Sequence, residues 1–194
     1  MNKIYFCLRT LLCHAFPKFF IYGFLLTITS EALHAQNVTI AAAADAYVRN
    51  GTFGNTNYGT DTSLVVKGSA STGFSRTSYL KFPLGSITYV RSAKIRLYGS
   101  NRDNTSTINI ALYSVIDDSW TESAITLNNA PTASSAFLTS TGVNNITGYY
   151  EFDVTNFVKA QLAGDKMVSV FVLITKASVF VLGRRLGYLL LQFG

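Results

Sequence analysis

Short runs of side chains alternate between apolar and polar with a period of two, and turn residues break every run. In Lys94-Ile95-Arg96-Leu97-Tyr98, Ile95 and Leu97 point one way and Lys94, Arg96 and Tyr98 the other. Leu80 and Phe82 share a face opposite Tyr79 and Lys81, and Ile108, Ile110 and Leu112 form a third apolar row. A pleated strand sorts its side chains this way, and a helix does not. Many such runs at short intervals indicate a sandwich or barrel. Apolar rows on two facing sheets make a sandwich core. The strands predicted are 38–40, 46–49, 63–67, 77–82, 93–98, 108–113, 149–154 and 168–174. Asp153-Val154-Thr155-Asn156 offers capping side chains ahead of Phe157, Val158, Ala160, Gln161 and Leu162, with Gly164 as a stop, so one short helix is predicted there.

Composition narrows the chemistry. Both cysteines (Cys7, Cys13) and both histidines (His14, His34) of the 194-residue chain lie before residue 36. That segment reads as a signal peptide spanning residues 1–35. Lys3, Arg9 and Lys18 come first. The apolar run Phe19–Ile28 follows, and small residues end the segment at Ala35. The apolar run is too short for a membrane helix, which needs about 20 residues. Cleavage after Ala35 leaves a mildly basic, secreted module of about +4, without thiol or imidazole. Such a module cannot use a Cys or His nucleophile, a Ser-His-Asp triad, or a His/Cys metal site. With no disulfide to hold it, its core must suffice alone, which a domain of about 140–160 residues achieves.

The sandwich is expected over residues 36–176. Residues 177–194 change character: they contain no acidic residue and end in Tyr188-Leu189-Leu190-Leu191. They read either as two closing strands joined by the basic turn Gly183-Arg184-Arg185 or as an atypical tail, since an exposed Leu-rich strand invites aggregation.

Eight phrases follow one another in a recognisable order. They are Ala44-Asp45-Ala46-Tyr47-Val48-Arg49, Asn55-Thr56-Asn57-Tyr58-Gly59, Leu64-Val65-Val66-Lys67, Arg76–Phe82, Ser92–Tyr98, Trp120-Thr121-Glu122, Asn128-Asn129-Ala130-Pro131 and Phe152-Asp153-Val154-Thr155. The succession, over about residues 38–176, resembles the DNRLRE domain. That domain is also described as carbohydrate-binding module family 96 and is related to repeats of the archaeal disaggregatase. The resemblance implies an all-β sandwich of jelly-roll type and a secreted, non-catalytic role beside polysaccharide-degrading or surface proteins. It also implies an alginate-like acidic polysaccharide as ligand, with other modules of a larger protein as neighbours. The chain departs from the pattern at Pro83 and Leu127, and Gly183-Arg184-Arg185 stands where the family carries a Ser-Arg-Glu phrase.

Arg49, Lys67, Arg76 and Lys81 fit such a ligand, with Tyr58 and Tyr79 nearby in sequence. Arg holds a carboxylate through two parallel hydrogen bonds and Lys supplies a point charge. A tyrosine ring offers a flat apolar face with a polar rim. The ordinary alternative is a solvated face whose cations guard against aggregation. Trp120, the single tryptophan, reads as packing over the sandwich before it reads as a sugar platform. Asp45 and Asp153 are candidate ligands of a structural calcium, with a turn residue and a helix cap as their ordinary roles. Nucleic acid is not an expected partner, since no binding motif is present. The sequence therefore predicts a secreted binding module for an acidic polysaccharide. Its rivals are a structural or adhesive module without a glycan site and a polysaccharide lyase.

Overall fold

The computed structural model describes residues 36–131, 136–174 and 177–193, which belong to one compact unit. The expected signal peptide lies outside the described residues. The strands are β1 (Asn37–Ala41), β2 (Ala44–Arg49), β3 (Ser63–Gly68), β4 (Arg76–Pro83), β5 (Ser92–Asn101), β6 (Ile108–Ser114), β7 (Phe137–Val143), β8 (Gly148–Asp153), β9 (Met167–Ile174) and β10 (Ser178–Gln192). The helix α1 covers Thr155–Ala163, where the sequence places it. It is not long and apolar enough to cross a membrane.

The fold is an all-β sandwich in which every named strand pair is antiparallel. One layer runs β2-β4-β9-β6-β7. The other runs β8-β5-β10, with β3 and β1 side by side along the far edge of β10. A single residue pair, Lys67 opposite Arg76, stitches β3 to β4 and joins the layers along one edge. The predicted apolar rows meet between the layers. Leu80, Phe82, Ile110, Leu112, Val168 and Val170 on one side face Leu64, Val66, Ile95, Leu97 and Phe152 on the other, all buried.

The segment 178–192 is one fifteen-residue strand, not two strands around a basic turn. Phe180, Leu182, Leu189 and Leu191 enter the same core, so the Leu-rich sequence is covered by its neighbours. The strand is broken by a large bulge. Leu182 pairs with Gly99 and Gly187 with Leu97, so residues 183–186 of β10 stand against Tyr98 alone. Gly187 lets the strand rejoin the sheet closely: a Cβ there would lie 2.5 Å from Leu80 Cδ2.

A second apolar cluster lies outside the first layer. The segment 115–131 folds over Ala46, Val48, Tyr79 and Phe171 and buries Val115, Trp120, Ile125 and Ala130 against them. Trp120 donates from Nε1 to Ser169 Oγ (3.0 Å) and meets the Tyr79 ring edge-on at 5.9 Å. It is a packing residue, as its ordinary reading held.

Candidate functional site

Strand register gathers three of the predicted cations. Arg49 on β2 stands opposite Arg76 on β4, and Lys67 on β3 is also a partner of Arg76. Directly opposed side chains leave their strands about 5 Å apart, close enough for like charges to repel. Each cation is steadied by rings and carbonyls. Arg49 donates from Nε to the Gly73 carbonyl (2.6 Å), with its Cζ 3.5 Å from the Phe53 ring centroid. The Phe74 ring lies 6.0 Å from Arg49 Cζ and 5.5 Å from Lys67 Nζ, and the Phe74 carbonyl accepts from Arg76 Nη1 at 3.3 Å. Such cation–ring contacts contribute about 0.5–1 kcal/mol at exposed sites. Phe74 is 49% exposed, and the three cations are half-buried. Among the described residues, no carboxylate forms an ion pair with Arg49, Lys67 or Arg76.

Local sequence explains why Phe53 and Phe74 are available. Asn50-Gly51 turns the chain out of β2, with Gly51 at φ +73°, into a 3-10 turn over Gly51–Phe53. The Asn50 carboxamide oxygen accepts from the Ser75 amide (2.9 Å), tying this turn to the segment before β4.

Tyr58 adjoins the row. It stacks on Tyr47 with centroids 4.5 Å apart and planes 17° from parallel. Tyr47 precedes Arg49 by two residues on the same side of β2 and donates its hydroxyl to Asp61 Oδ2 (2.6 Å). Burial, then the Asp61 hydrogen bond, pushes the Tyr47 hydroxyl well above its ordinary pKa, and the nearby Arg76 partly opposes this.

Tyr79 and Lys81 do not join them. They share a face, as alternation predicts, but it is the outer face beneath segment 115–131. Tyr79 is buried there, which pushes its hydroxyl up to about 12. Lys81 Nζ donates to the Asp118 carbonyl and to the Trp120 carbonyl (2.6 Å), with the Trp120 ring centroid 4.6 Å away. Burial lowers the pKa of its ammonium, against the pull of Asp118 and Asp117. Lys81 thus anchors the covering loop and borders an open hollow of about 430 Å³ with Ala44, Gly59, Trp120 and Glu122.

The bulge of β10 delivers a cation that the sequence reading did not single out as a ligand-site residue. Arg184 reaches Asp45 (Nε to Oδ1, 3.3 Å), Glu122 Oε1 and the Asp61 carbonyl (Nη1, 3.0 Å). Glu122 Oε2 also accepts from the Asp45 amide at 3.2 Å. Asp45 is fully buried, so this guanidinium neutralises a carboxylate that water cannot reach. Only the Arg of the phrase at Gly183-Arg184-Arg185 hinted at it. Asp153 sits elsewhere, opposite Lys94 on β5, and accepts from the Thr155 amide at the start of α1 (2.9 Å). That hydrogen bond is the main cause of its lowered pKa. The two aspartates proposed for calcium therefore do not form one donor set. Asp45 faces a guanidinium and Asp153 steadies a helix start.

The profile of carbohydrate-binding module family 96 matches residues 36–179 of this sequence. The chain belongs to carbohydrate-binding module family 96. A gellan lyase from a Bacillus species is 34% identical over 134 residues, covering 66% of this chain and 5% of that protein. This family 96 chain thus spans about one twentieth of the length of the relative it matches.

The family 96 module carries a second group of cations and rings on the outer face of its other layer. Lys94, Arg96 and Tyr98 of β5 share that face, as alternation predicts. Glu151 on β8 takes both cations, with Lys94 Nζ at 2.9 Å and Arg96 Nη2 at 2.5 Å. Those two hydrogen bonds hold the Glu151 carboxyl below its usual range. Tyr98 packs on Tyr149 (4.9 Å), Tyr149 on Tyr188 (6.4 Å), and Arg96 Cζ lies 5.2 Å from the Tyr149 ring.

Proposed function

We propose that this chain is a secreted, non-catalytic module of a larger surface or polysaccharide-degrading protein. It binds an acidic, alginate-like polysaccharide through Arg49, Lys67 and Arg76, with Phe74 and Tyr58 beside them. The observation that carries this reading is the row of three adjacent cations with no ion-pair partner among the described residues. A chain of uronates brings a carboxylate on each sugar, and each carboxylate relieves repulsion in the row while gaining charge-assisted hydrogen bonds. Phe74 and Tyr58 offer rings for the sugar C–H faces. The gellan lyase relative supports a polysaccharide setting, and the small share of it that this chain matches suits an ancillary module more than the body of a lyase. Two buried tyrosines, Tyr47 and Tyr79, argue the same way. A tyrosine base needs a lowered pKa, and Tyr47 and Tyr79 are both raised.

Affinity electrophoresis of the purified protein in alginate and gellan gels tests this. Wild type is expected to be retarded. Arg49→Ala, Lys67→Ala and Arg76→Ala are each expected to weaken binding roughly tenfold, a change of about 1.4 kcal/mol. Unretarded wild type, or variants retarded as wild type is, would leave a structural or adhesive module as the better reading. Ultraviolet-absorbing unsaturated product released from either polymer would replace binding with lyase activity.

A further inference from the structure

We infer that the outer face of β5, β8 and β10 is a second, separate saccharide site, one that takes the apolar faces of uncharged pyranose rings. Tyr98, Tyr149 and Tyr188 come from three adjacent strands and form a contiguous ring surface on the outer face of that layer. Tyr149 is 49% exposed. Among the described residues, none of the three hydroxyls has a hydrogen-bond partner in the protein. Rings with free polar rims suit a ligand that pairs C–H faces with hydroxyl groups.

Charge decides which saccharide. Lys94 and Arg96 are bonded to Glu151, and Asp153 stands opposite Lys94, so two cations meet two carboxylates and the face is neutral. A polyanion gains nothing here that it would not lose by prising Glu151 from its partners. An uncharged sugar leaves the ion pairs intact and uses their remaining lone pairs and N–H groups. The face also continues beyond the rings. Lys94 and Glu151 border a hollow of about 320 Å³ completed by Asn37, Thr39, Ser92 and Gln192, whose amides and hydroxyls suit sugar hydroxyls. From Tyr98 to Ser92 along β5 the surface extends roughly 20 Å, enough for several sugars in line.

The test uses the purified protein in gels of hydroxyethyl cellulose, glucomannan and pullulan, with an alginate gel alongside. Wild type is expected to be retarded by at least one uncharged polymer. Tyr149→Ala and Tyr188→Ala, checked for folding by circular dichroism, are expected to weaken that retardation at least tenfold and to leave migration in alginate unchanged. Arg76→Ala is expected to do the reverse, so failure of this site and failure of the acidic-polysaccharide site read out separately. Absence of retardation by all three uncharged polymers overturns the inference, as does undiminished retardation of both tyrosine variants. A wild-type dimer in sedimentation that Tyr149→Ala turns into a monomer, with sugar binding unchanged, also overturns it by making the face a self-association surface.

Discussion

The row Arg49–Arg76–Lys67 and the face Lys94–Arg96–Glu151 both set cations beside aromatic rings on paired strands, yet they are electrostatic opposites. In the first, three positive groups lean on Phe53, Phe74 and backbone carbonyls, and no carboxylate is bonded to them among the described residues. In the second, Glu151 on the neighbouring strand pairs with both cations, and Asp153 opposite Lys94 completes the balance. Counting Lys and Arg does not distinguish the two regions. Strand register does, because it decides whether the residue opposite a cation is another cation or an acid. Arg184 shows a third condition: a guanidinium enclosed with Asp45 and Glu122, where pairing supports the fold.

The largest expected effect breaks the enclosed pair. Arg184→Ala removes a guanidinium shared by the fully buried Asp45 and by Glu122, and losing one member of such a buried ionic cluster costs about 3–5 kcal/mol. In a domain of this size that lowers Tm by roughly 10 °C or more, measurable by calorimetry. Arg184→Lys rescues little, because a point charge cannot span Asp45, Glu122 and the Asp61 carbonyl together. Removing an open cation gives the contrasting outcome. Arg76→Ala changes stability by less than about 0.5 kcal/mol, typical of a surface position, since repulsion within the row is relieved. The same variant loses most of its salt-sensitive affinity for alginate, read by electrophoresis across a sodium chloride series.

Glu151→Gln sharpens the comparison by turning the second region into the first kind. With its carboxylate gone, Lys94 and Arg96 become available, and the variant is expected to bind alginate more tightly than wild type by a few-fold. Lack of any gain would show that ring geometry, not charge closure, separates the two surfaces. The smallest effect is the pH response of that glutamate. Its folded pKa is depressed, so its stabilising contribution is present above the unfolded carboxyl value, near 4.3. That contribution is lost as pH falls through the lower folded value. The carboxylate is partly solvated, so the loss is small, seen as a slight steepening of acid unfolding in wild type that Glu151→Gln lacks.

Much of the sandwich was legible because its rows obey one rule locally: Ile95 with Leu97, Leu80 with Phe82, Ile110 with Leu112. Strand β7 escaped because Phe-Leu-Thr-Ser-Thr-Gly-Val is an edge strand with a single buried residue, Val143, and so shows little alternation. Strand β10 reads in the sequence as either two closing strands or an atypical tail because its middle is a bulge, which interrupts the period where the backbone leaves the sheet. Alternation correctly put Tyr79 and Lys81 on one face. It could not say that segment 115–131, more than thirty positions away, folds over that face. The meeting of Arg49, Lys67 and Arg76 depends on three strands finding one another, and that of Arg184 with Asp45 on a separation of 139 positions along the chain. Single-sequence patterns carry no such long-range information.

The pairing of β1 with β10 has a mechanical consequence. Asn37 lies opposite Gln192, and the Phe193 amide donates to the Gln36 carbonyl at 2.9 Å, so the polypeptide enters and leaves the domain at one point. Tension applied through both ends would peel these two strands apart one hydrogen bond at a time instead of shearing many at once. Strung within a longer polymer, the domain would yield at low force, beginning at that seam, while the row Arg49–Arg76–Lys67, on strands away from it, was still intact.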